Sequence, residues 1–140
     1  QKDGRTALHW AARNGHVGVC RWLVAAGAHP DCTTHDGSTP LHWAVWRGEL
    51  PVCEFLVDEA RANLHAVNSY GCNAVQWAAQ SDGPDLRVCH WLKSHGLDIT
   101  LTNRNGHSAV HKAAVKGNFA VCEWLLSPQG GLGAQHLRAD

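Results

Sequence analysis

The 140-residue sequence contains no methionine, a single tyrosine, two phenylalanines and no excess of charge of either sign. Lysine plus arginine equals aspartate plus glutamate at 12 each, so the chain has no general attraction to nucleic-acid phosphates or anionic membranes. No apolar run approaches the roughly 20 residues that a membrane helix needs, and residues 1–4 do not begin a signal peptide. The missing first methionine predicts a segment of a longer protein.

Apolar residues make up 44% of the chain and charged residues 17%, which is the composition of a folded domain and not of a disordered tail. The length favours one domain, spanning residues 1–140.

An internal repeat is the main signal of the sequence. One block recurs at residues 3–12, 36–45, 70–79 and 105–114, with offsets of 33, 34 and 35 between equivalent glycines. A second block follows each copy, at residues 19–23, 52–56, 88–92 and 121–125. Self-similarity at this period indicates a repeat architecture. We expect four approximate repeats, at residues 1–33, 34–67, 68–102 and 103–140.

Each repeat has the pattern of a turn, a helix, a second turn and a second helix. An Asp-Gly pair marks the first turn, Thr6 and Thr39 suit helix N-caps, and Pro40 suits the first helical position. Each helix would span only two to three turns, so neighbouring repeats must stack to bury each other's apolar faces. The pattern predicts an all-α solenoid with eight main helices in two layers.

At these positions the sequence resembles the ankyrin repeat family. The resemblance covers residues 1–126 and rests in the first unit on Gly4, Thr6, Leu8, His9, Ala11, Ala12, Gly15, His16, Leu23, Gly27 and Ala28. It implies projecting β-turn or hairpin loops, a concave surface made by the first helices and those turns, and a role in non-enzymatic protein recognition. It also implies that the recurrent histidine at positions 9, 42 and 111 bonds to neighbouring turns.

The sequence departs from the family pattern at several places. Residues 73–76 replace the usual Thr-Pro-Leu-His, two extra residues fall within 81–85, and one falls within 59–61. The end of the chain carries an insertion around residues 128–132, after which Gly133 and Ala134 correspond to Gly27 and Ala28. We expect these differences to alter loops and not the fold.

The cysteines are predicted to pack and not to cross-link. Four of them occupy one equivalent position per repeat: Cys20, Cys53, Cys89 and Cys122. Packed helices lie roughly 8–10 Å apart, whereas a disulfide needs Cα atoms within about 7 Å. Cys32 and Cys72 fall in turn regions as candidate free thiols. Free thiols favour a reducing, intracellular location, here the cytoplasm, with the nucleus left open.

Catalytic and metal-binding patterns are lacking. The sequence has no CxxC, no Gly-x-Ser-x-Gly and no glycine-rich phosphate loop. Cys32 and His35 form one possible ligand pair and His107 and His111 another, but no second pair at zinc-finger spacing joins either. We therefore predict no cofactor, no metal and no enzymatic activity for this segment.

The tryptophans fall into two sets. Trp22, Phe55, Trp91 and Trp124 share a second-helix position and are predicted to be core or helix-packing residues. Trp10, Trp43 and Trp77 share a first-helix position at which the fourth repeat has Lys112, so that position must be partly exposed. By the resemblance, it faces the concave groove.

Residues three or four positions further along a helix share a face with these side chains, and aromatic and arginine side chains are enriched at binding hot spots. Half-buried packing between repeats is the competing interpretation. The candidate protein-binding residues on the first helices and the projecting turns are Trp10, Arg13, Asn14, Asp36, Trp43, Trp46, Arg47, Tyr70, Trp77, Asn105, Lys112 and Lys116.

The leading functional hypothesis is a monomeric protein-binding module within a larger chain, with another protein as the partner. The alternative is a regulatory or targeting segment of a larger enzyme, such as a kinase or ubiquitin ligase. Nucleic-acid binding through the aromatic and basic stripe is disfavoured by the zero net charge. Because no polar cap is evident at Val17 and Val24 or at Leu132 and Leu137, we expect further flanking repeats.

Overall fold

The computed structural model describes residues 3–83, 85–129 and 131, and within these ranges the regular structure is helical. The helices come in four antiparallel pairs, and they are α1 (Ala7–Arg13), α2 (Val17–Ala25), α3 (Pro40–Trp46), α4 (Leu50–Glu54, continued by a π-helical turn over Phe55–Glu59), α5 (Ala74–Ala79), α6 (Leu86–Ser94), α7 (Ala109–Lys116) and α8 (Phe119–Leu126). The expected all-α solenoid of eight main helices is confirmed. The predictions for Leu132, Gly133, Ala134 and Leu137 concern residues outside the described ranges.

Each first helix begins with a side-chain cap. The hydroxyl of Thr6 accepts from the His9 amide at 3.3 Å, and the His9 ring accepts from the Thr6 amide at 3.2 Å. Thr39 and His42 repeat this reciprocal pair in the second unit. The predicted caps at Thr6 and Thr39 are therefore confirmed, and they fix where each first helix starts.

The same histidines join neighbouring repeats. Because Nδ1 of His9 accepts a backbone N–H, its proton sits on Nε2, which donates to the Ser38 carbonyl at 2.9 Å. Nε2 of His42 donates likewise to the Ala66 carbonyl at 3.0 Å. In the third unit, Gln76 replaces the histidine, and its amide donates to the Leu101 carbonyl at 2.8 Å.

One backbone hydrogen bond connects each projecting turn to the next. Successive turns are joined from the His35 amide to the Asp3 carbonyl at 2.9 Å, from Ser69 to Asp36 at 2.8 Å, and from Arg104 to Tyr70 at 3.0 Å. Gly37 shows why glycine is needed here: its φ is +80°, and a Cβ would lie 3.2 Å from the Asn68 Cα.

The core lies between the two helix layers, where α1, α3, α5 and α7 stack in order and each packs against its own second helix. Its largest fully buried side chains are leucines that occupy one position on the first helices and one on the second helices: Leu8, Leu41, Leu56, Leu92 and Leu125. Cys20, Cys53 and Cys89 are buried among them, and Cys122 is half-buried. The cysteine ladder is therefore a set of small core side chains, as predicted.

The extra residue of the second repeat is taken up inside the helix and not in a loop. The Ala60 amide donates to the Phe55 carbonyl five residues earlier at 3.0 Å, which is the π-helical pattern. Arg61 then takes a left-handed conformation with φ +60°, at the place where Gly27 and Gly96 end the helices of the first and third repeats.

Replacing Arg61 by glycine should stabilise the protein by about 1 kcal/mol. A non-glycine residue costs about 1–2 kcal/mol in this conformation, and the greater freedom of glycine in the unfolded chain offsets part of the gain. Ala60→Gly is the matched control, because Ala60 has φ −82° and gains nothing from glycine. Urea denaturation of both variants measures the difference, and a less stable Arg61→Gly would contradict the assignment.

The two extra residues of the third repeat form an anchored loop. The Ser81 hydroxyl donates to the Trp46 carbonyl at 2.6 Å, and the Asn118 amide donates to the Ala79 and Ser81 carbonyls at 2.7 and 2.9 Å. Asp85 then caps α6 by accepting from the Arg87 amide at 2.9 Å. This insertion alters the loop and leaves the helix stack intact.

The prediction of a core position for the second-helix aromatic residues is right for three members and wrong for Trp22. Phe55, Trp91 and Trp124 are 5%, 9% and 6% exposed, whereas Trp22 is 68% exposed. Phe55 and Trp124 meet the repeat before their own, where Arg21 lies 5.1 Å from the Phe55 ring and the His90 ring lies 5.3 Å from the Trp124 ring. Trp22 lies on α2, whose outer face no earlier repeat covers within the described residues.

Candidate functional site

A groove of about 550 Å³ lies on the concave side of the first three repeats. Its walls come from α1, α3 and α5 and from the first two projecting turns. The lining residues are Asp3, Arg5, Trp10, Arg13, Thr34, His35, Asp36, Trp43, Trp46 and Trp77. Its volume falls within the roughly 300–1,000 Å³ of typical ligand pockets.

The tryptophans of the groove are half-buried, because one part of each ring packs on the protein while another part faces the open side. The Trp10 and Trp43 rings meet edge to face, with centroids 5.2 Å apart. Trp43 also meets His9 at 5.2 Å, and Trp77 stacks on His42 at 5.5 Å. These contacts with capping histidines hold the rings in place, so the groove is formed before any ligand arrives.

Trp46 combines a structural contact with a place in the lining. Its indole Nε1 donates to the Gln80 carbonyl at 3.3 Å, and its own carbonyl accepts from Ser81. Trp46 therefore ties α3 to the anchored loop of the third repeat. A substitution there would change both the fold and the groove.

Arginine side chains lie on the tryptophan faces. The Arg13 guanidinium carbon is 5.5 Å from the Trp10 ring centroid and 5.6 Å from that of Trp46, so it sits between rings of two different repeats. Arg5 lies 5.4 Å from Trp10, and Arg47 lies 6.0 Å from Trp46. At these distances the ring quadrupole attracts the cation and fixes its position.

The two arginines that line the groove differ in whether they form an ion pair. Arg5 forms an ion pair with Asp3, which lowers the pKa of that carboxyl. Arg13 has no carboxylate within ion-pair distance among residues 3–83, 85–129 and 131. Within that part of the chain, the guanidinium of the half-buried Arg13 is therefore unpaired and lies against two tryptophan rings.

Asp36 is an ionised residue at the rim of the groove. Partial burial works against the charged form, but the Thr34 and Ser38 hydroxyls and the Ser38 amide donate to the carboxylate and outweigh it. The pKa of Asp36 therefore lies below its ordinary value. Because these donors already occupy its Oδ1, Asp36 serves mainly to shape the turn.

The structure brings together half of the sequence-predicted residues. Trp10, Arg13, Asp36, Trp43, Trp46 and Trp77 all line the groove. Asn14 donates to the Trp10 carbonyl at 2.9 Å, and Arg47 lies beside the groove and not in its lining.

The remaining candidates lie further along the solenoid. Tyr70 and Asn105 are exposed on the third and fourth turns, Lys112 is half-buried on α7, and Lys116 pairs with Asp82 at 2.7 Å. The partial exposure inferred for the shared Trp and Lys112 position is confirmed at all four repeats.

Four lining residues were not among the sequence candidates: Asp3, Arg5, Thr34 and His35. The available signal was the repeat itself, since Asp3 is the equivalent of Asp36 in the first turn. Arg5 follows two residues later, and its reach over Trp10 depends on side-chain direction, which the spacing does not give.

The six cysteines carry free thiols. Burial raises the pKa of Cys20 to about 11 and that of Cys89 to about 12, and it raises the pKa of Cys53 further. Such thiols are poor nucleophiles at neutral pH. Cys72 lies at a turn, as predicted, but it is buried, with 3% of its surface exposed. In the described part of the chain, no three His, Cys, Asp or Glu side chains group in a way that could hold a metal ion.

Helices that could cross a membrane are not found in the described part of the chain, because none there is both long and apolar enough.

Comparison with known proteins identifies the repeat. A family model of ankyrin repeats in three copies matches residues 1–68, and a second ankyrin-repeat model matches residues 80–126. The chain belongs to the ankyrin repeat family. Ankyrin repeats are protein–protein interaction modules, and they are typically non-catalytic.

Three relatives show how such segments are embedded. The chain is 31% identical over 124 residues to a palmitoyltransferase, AKR1, of Lachancea kluyveri, covering 86% of this chain and 17% of that protein. It is 26% identical over 126 residues to an L-asparaginase of Dirofilaria immitis, covering 89% and 20%. A 32-residue stretch is 56% identical to human ankyrin repeat domain-containing protein 39, covering 23% and 18%. The chain therefore spans about a fifth of these relatives' length.

Proposed function

We propose that this chain is a non-catalytic module that binds a partner protein in the concave groove and along the projecting turns. The observation that carries the proposal is the groove itself, in which four half-buried tryptophans from three repeats form the lining and Arg13 lies between two of them, Trp10 and Trp46. Large apolar side chains held at low entropic cost are typical of binding hot spots.

The non-catalytic assignment rests on what the reactive side chains do. His9 and His42 are buried, and both nitrogens of each ring are hydrogen-bonded, one in a helix cap and one to the neighbouring repeat. The raised pKa values of Cys20 and Cys89 keep those thiols protonated. We propose a monomeric module within a larger intracellular, cytoplasmic protein. The zero net charge favours a protein partner over nucleic acid.

A second candidate function is a regulatory or targeting segment of a larger enzyme. Two of the relatives carry enzyme names, palmitoyltransferase and L-asparaginase, and this chain corresponds to only 17% and 20% of their length. The sequence of the full parent chain separates the two candidates, since a catalytic domain beside residues 1–140 would favour the second.

The test compares two tryptophans of the first repeat. Displayed random peptides are selected on the wild-type protein, and the affinity of the best binder is then measured for Trp10→Ala and Trp22→Ala. Trp10 lines the groove, whereas Trp22 is exposed on the outer face of α2, which we call the end face. We expect Trp10→Ala to weaken binding about thirtyfold, the effect of losing a hot spot, and Trp22→Ala to leave it unchanged.

A thermal melting curve of each variant gives its folded fraction at the temperature of the binding measurement, so that loss of fold is distinguished from loss of affinity. If the selected peptides bind Trp10→Ala as tightly as wild type but bind Trp22→Ala more weakly, the binding surface includes Trp22. That result would contradict the proposal that the groove is the binding site.

A further inference from the structure

We infer that the groove selects an acidic peptide segment, in which a carboxylate pairs with Arg13 while a neighbouring apolar side chain packs against Trp10 and Trp43. This inference rests on the proposed function and specifies the partner of the same site.

The first support is the state of Arg13. Its guanidinium lies between the Trp10 and Trp46 rings at 5.5 and 5.6 Å, and within the described ranges no carboxylate pairs with it. The other groove arginine, Arg5, already has Asp3. A positioned, uncompensated guanidinium presents a fork of N–H donors that matches the geometry of a carboxylate.

The second support is the charge around the rings. The contacts to Trp10 are made by Arg5 and Arg13, and those to Trp46 by Arg13 and Arg47. A cationic ligand would therefore meet ring faces that arginine side chains already cover, and the positive charge of Arg13 would repel it. Asp36 carries a negative charge at the rim, with its Oδ1 accepting from hydroxyl and amide donors, so the preference for an anion rests on Arg13. The complement of the groove is an anion beside apolar surface.

The third support is the shape of the site. The groove is an open channel along three repeats, lined by tryptophan rings on its helical side and by the turn residues Thr34, His35 and Asp36 on the other. An open channel suits an extended segment better than a small enclosed ligand. Among the lining residues, Arg13 is the one guanidinium that has no ion pair with any described residue, and it matches one carboxylate, whereas phosphate-binding sites use arginine clusters.

The experiment starts from the random peptide selection and asks which residues the winners share. We expect aspartate or glutamate next to phenylalanine, leucine or tryptophan. The best peptide is then synthesised in four forms, with its acidic residue kept, changed to glutamine, changed to lysine, or replaced by phosphoserine. Affinity is measured by fluorescence anisotropy at low and at high salt.

The protein variants are Arg13→Gln, Arg13→Lys and, as the matched control, Arg87→Gln. Arg87 is an exposed arginine on α6, outside the groove lining. We expect Arg13→Gln to weaken the acidic peptide between about tenfold and a hundredfold, the range for a charge-assisted hydrogen bond. It should have no effect on the glutamine peptide. Arg13→Lys should recover part of the affinity, because it keeps the charge and loses the fork, and Arg87→Gln should match wild type.

Several results would overturn the inference. Winners rich in lysine or arginine would show that the groove prefers cations. A phosphoserine peptide that binds more tightly than the acidic one, with the same dependence on Arg13, would make the partner a phosphopeptide. If the affinity of the selected peptides depends on Trp10 but not on Arg13, the groove is still the docking site, but its preference for an acidic peptide is contradicted. If no peptide depends on either residue, the proposed function fails as well.

Discussion

Trp91→Ala should lower the free energy of unfolding by about 3–5 kcal/mol, whereas Trp22→Ala should change it by less than about 1 kcal/mol. The two residues occupy equivalent second-helix positions, but Trp91 is 9% exposed and Trp22 is 68% exposed. Truncating Trp91 removes buried apolar surface and leaves a cavity between repeats. Truncating Trp22 removes surface that already faces water.

Denaturation in urea, followed by circular dichroism, measures both variants. For a chain of this length, the Trp91 effect corresponds to a fall of roughly 10 °C in melting temperature. Equal losses for the two variants would mean that Trp22 is covered in solution, for example by another repeat or a second chain. The comparison therefore reports on the end face as well as on the core.

The sequence predicts the helix pairs and their caps because both are set within one repeat. Thr6 and His9 are three residues apart, so their reciprocal hydrogen bonds depend only on local spacing. The leucine positions follow from the same periodicity.

The features that the sequence does not predict depend on contacts between repeats, or on which of two local structures forms. The extra residue near Arg61 could have entered a loop, and its entry as a π-helical turn depends on keeping Leu56 and Ala62 in the core. The exposure of Trp22 depends on whether another repeat covers it, which its own residue type does not reveal. Arg13 lies between two rings only because α1 and α3 are neighbours in the stack.

More than half of the residues that line the groove could be predicted, because equivalent positions can be compared between repeats. The shared Trp and Lys112 position reveals a partly exposed face, and that much follows from comparing repeats. The sequence could not show where along that face the side chains converge. Convergence at the first three repeats involves the turn residues Arg5 and His35, whose side-chain directions the spacing does not give.

Acidification should destabilise the protein between about pH 6.5 and pH 4.5, before most carboxylates titrate. The ring of His42 is fully buried, and burial lowers its pKa to about 4, despite the opposing effects of the Ala66 carbonyl and Asp36. Burial lowers the pKa of His9 as well. In the unfolded chain both rings would titrate near the ordinary value of about 6.5. The unfolded state therefore binds more protons below that pH, so stability is complete above about pH 6.5 and falls as the pH drops. For His42 the depressed pKa corresponds to about 3 kcal/mol.

His42→Gln is the matched test, because the third repeat already uses Gln76 at the equivalent position to bond a neighbouring carbonyl. Glutamine does not titrate, so the variant should lose less stability than wild type between pH 7 and pH 4.5, even if it is less stable at pH 7. Urea midpoints measured across this range give both slopes. The physical cause is specific: protonation would place a hydrogen on the His42 Nδ1 atom, which accepts from the Thr39 amide at 3.2 Å. Parallel slopes for the two proteins would mean that His42 does not carry the acid sensitivity.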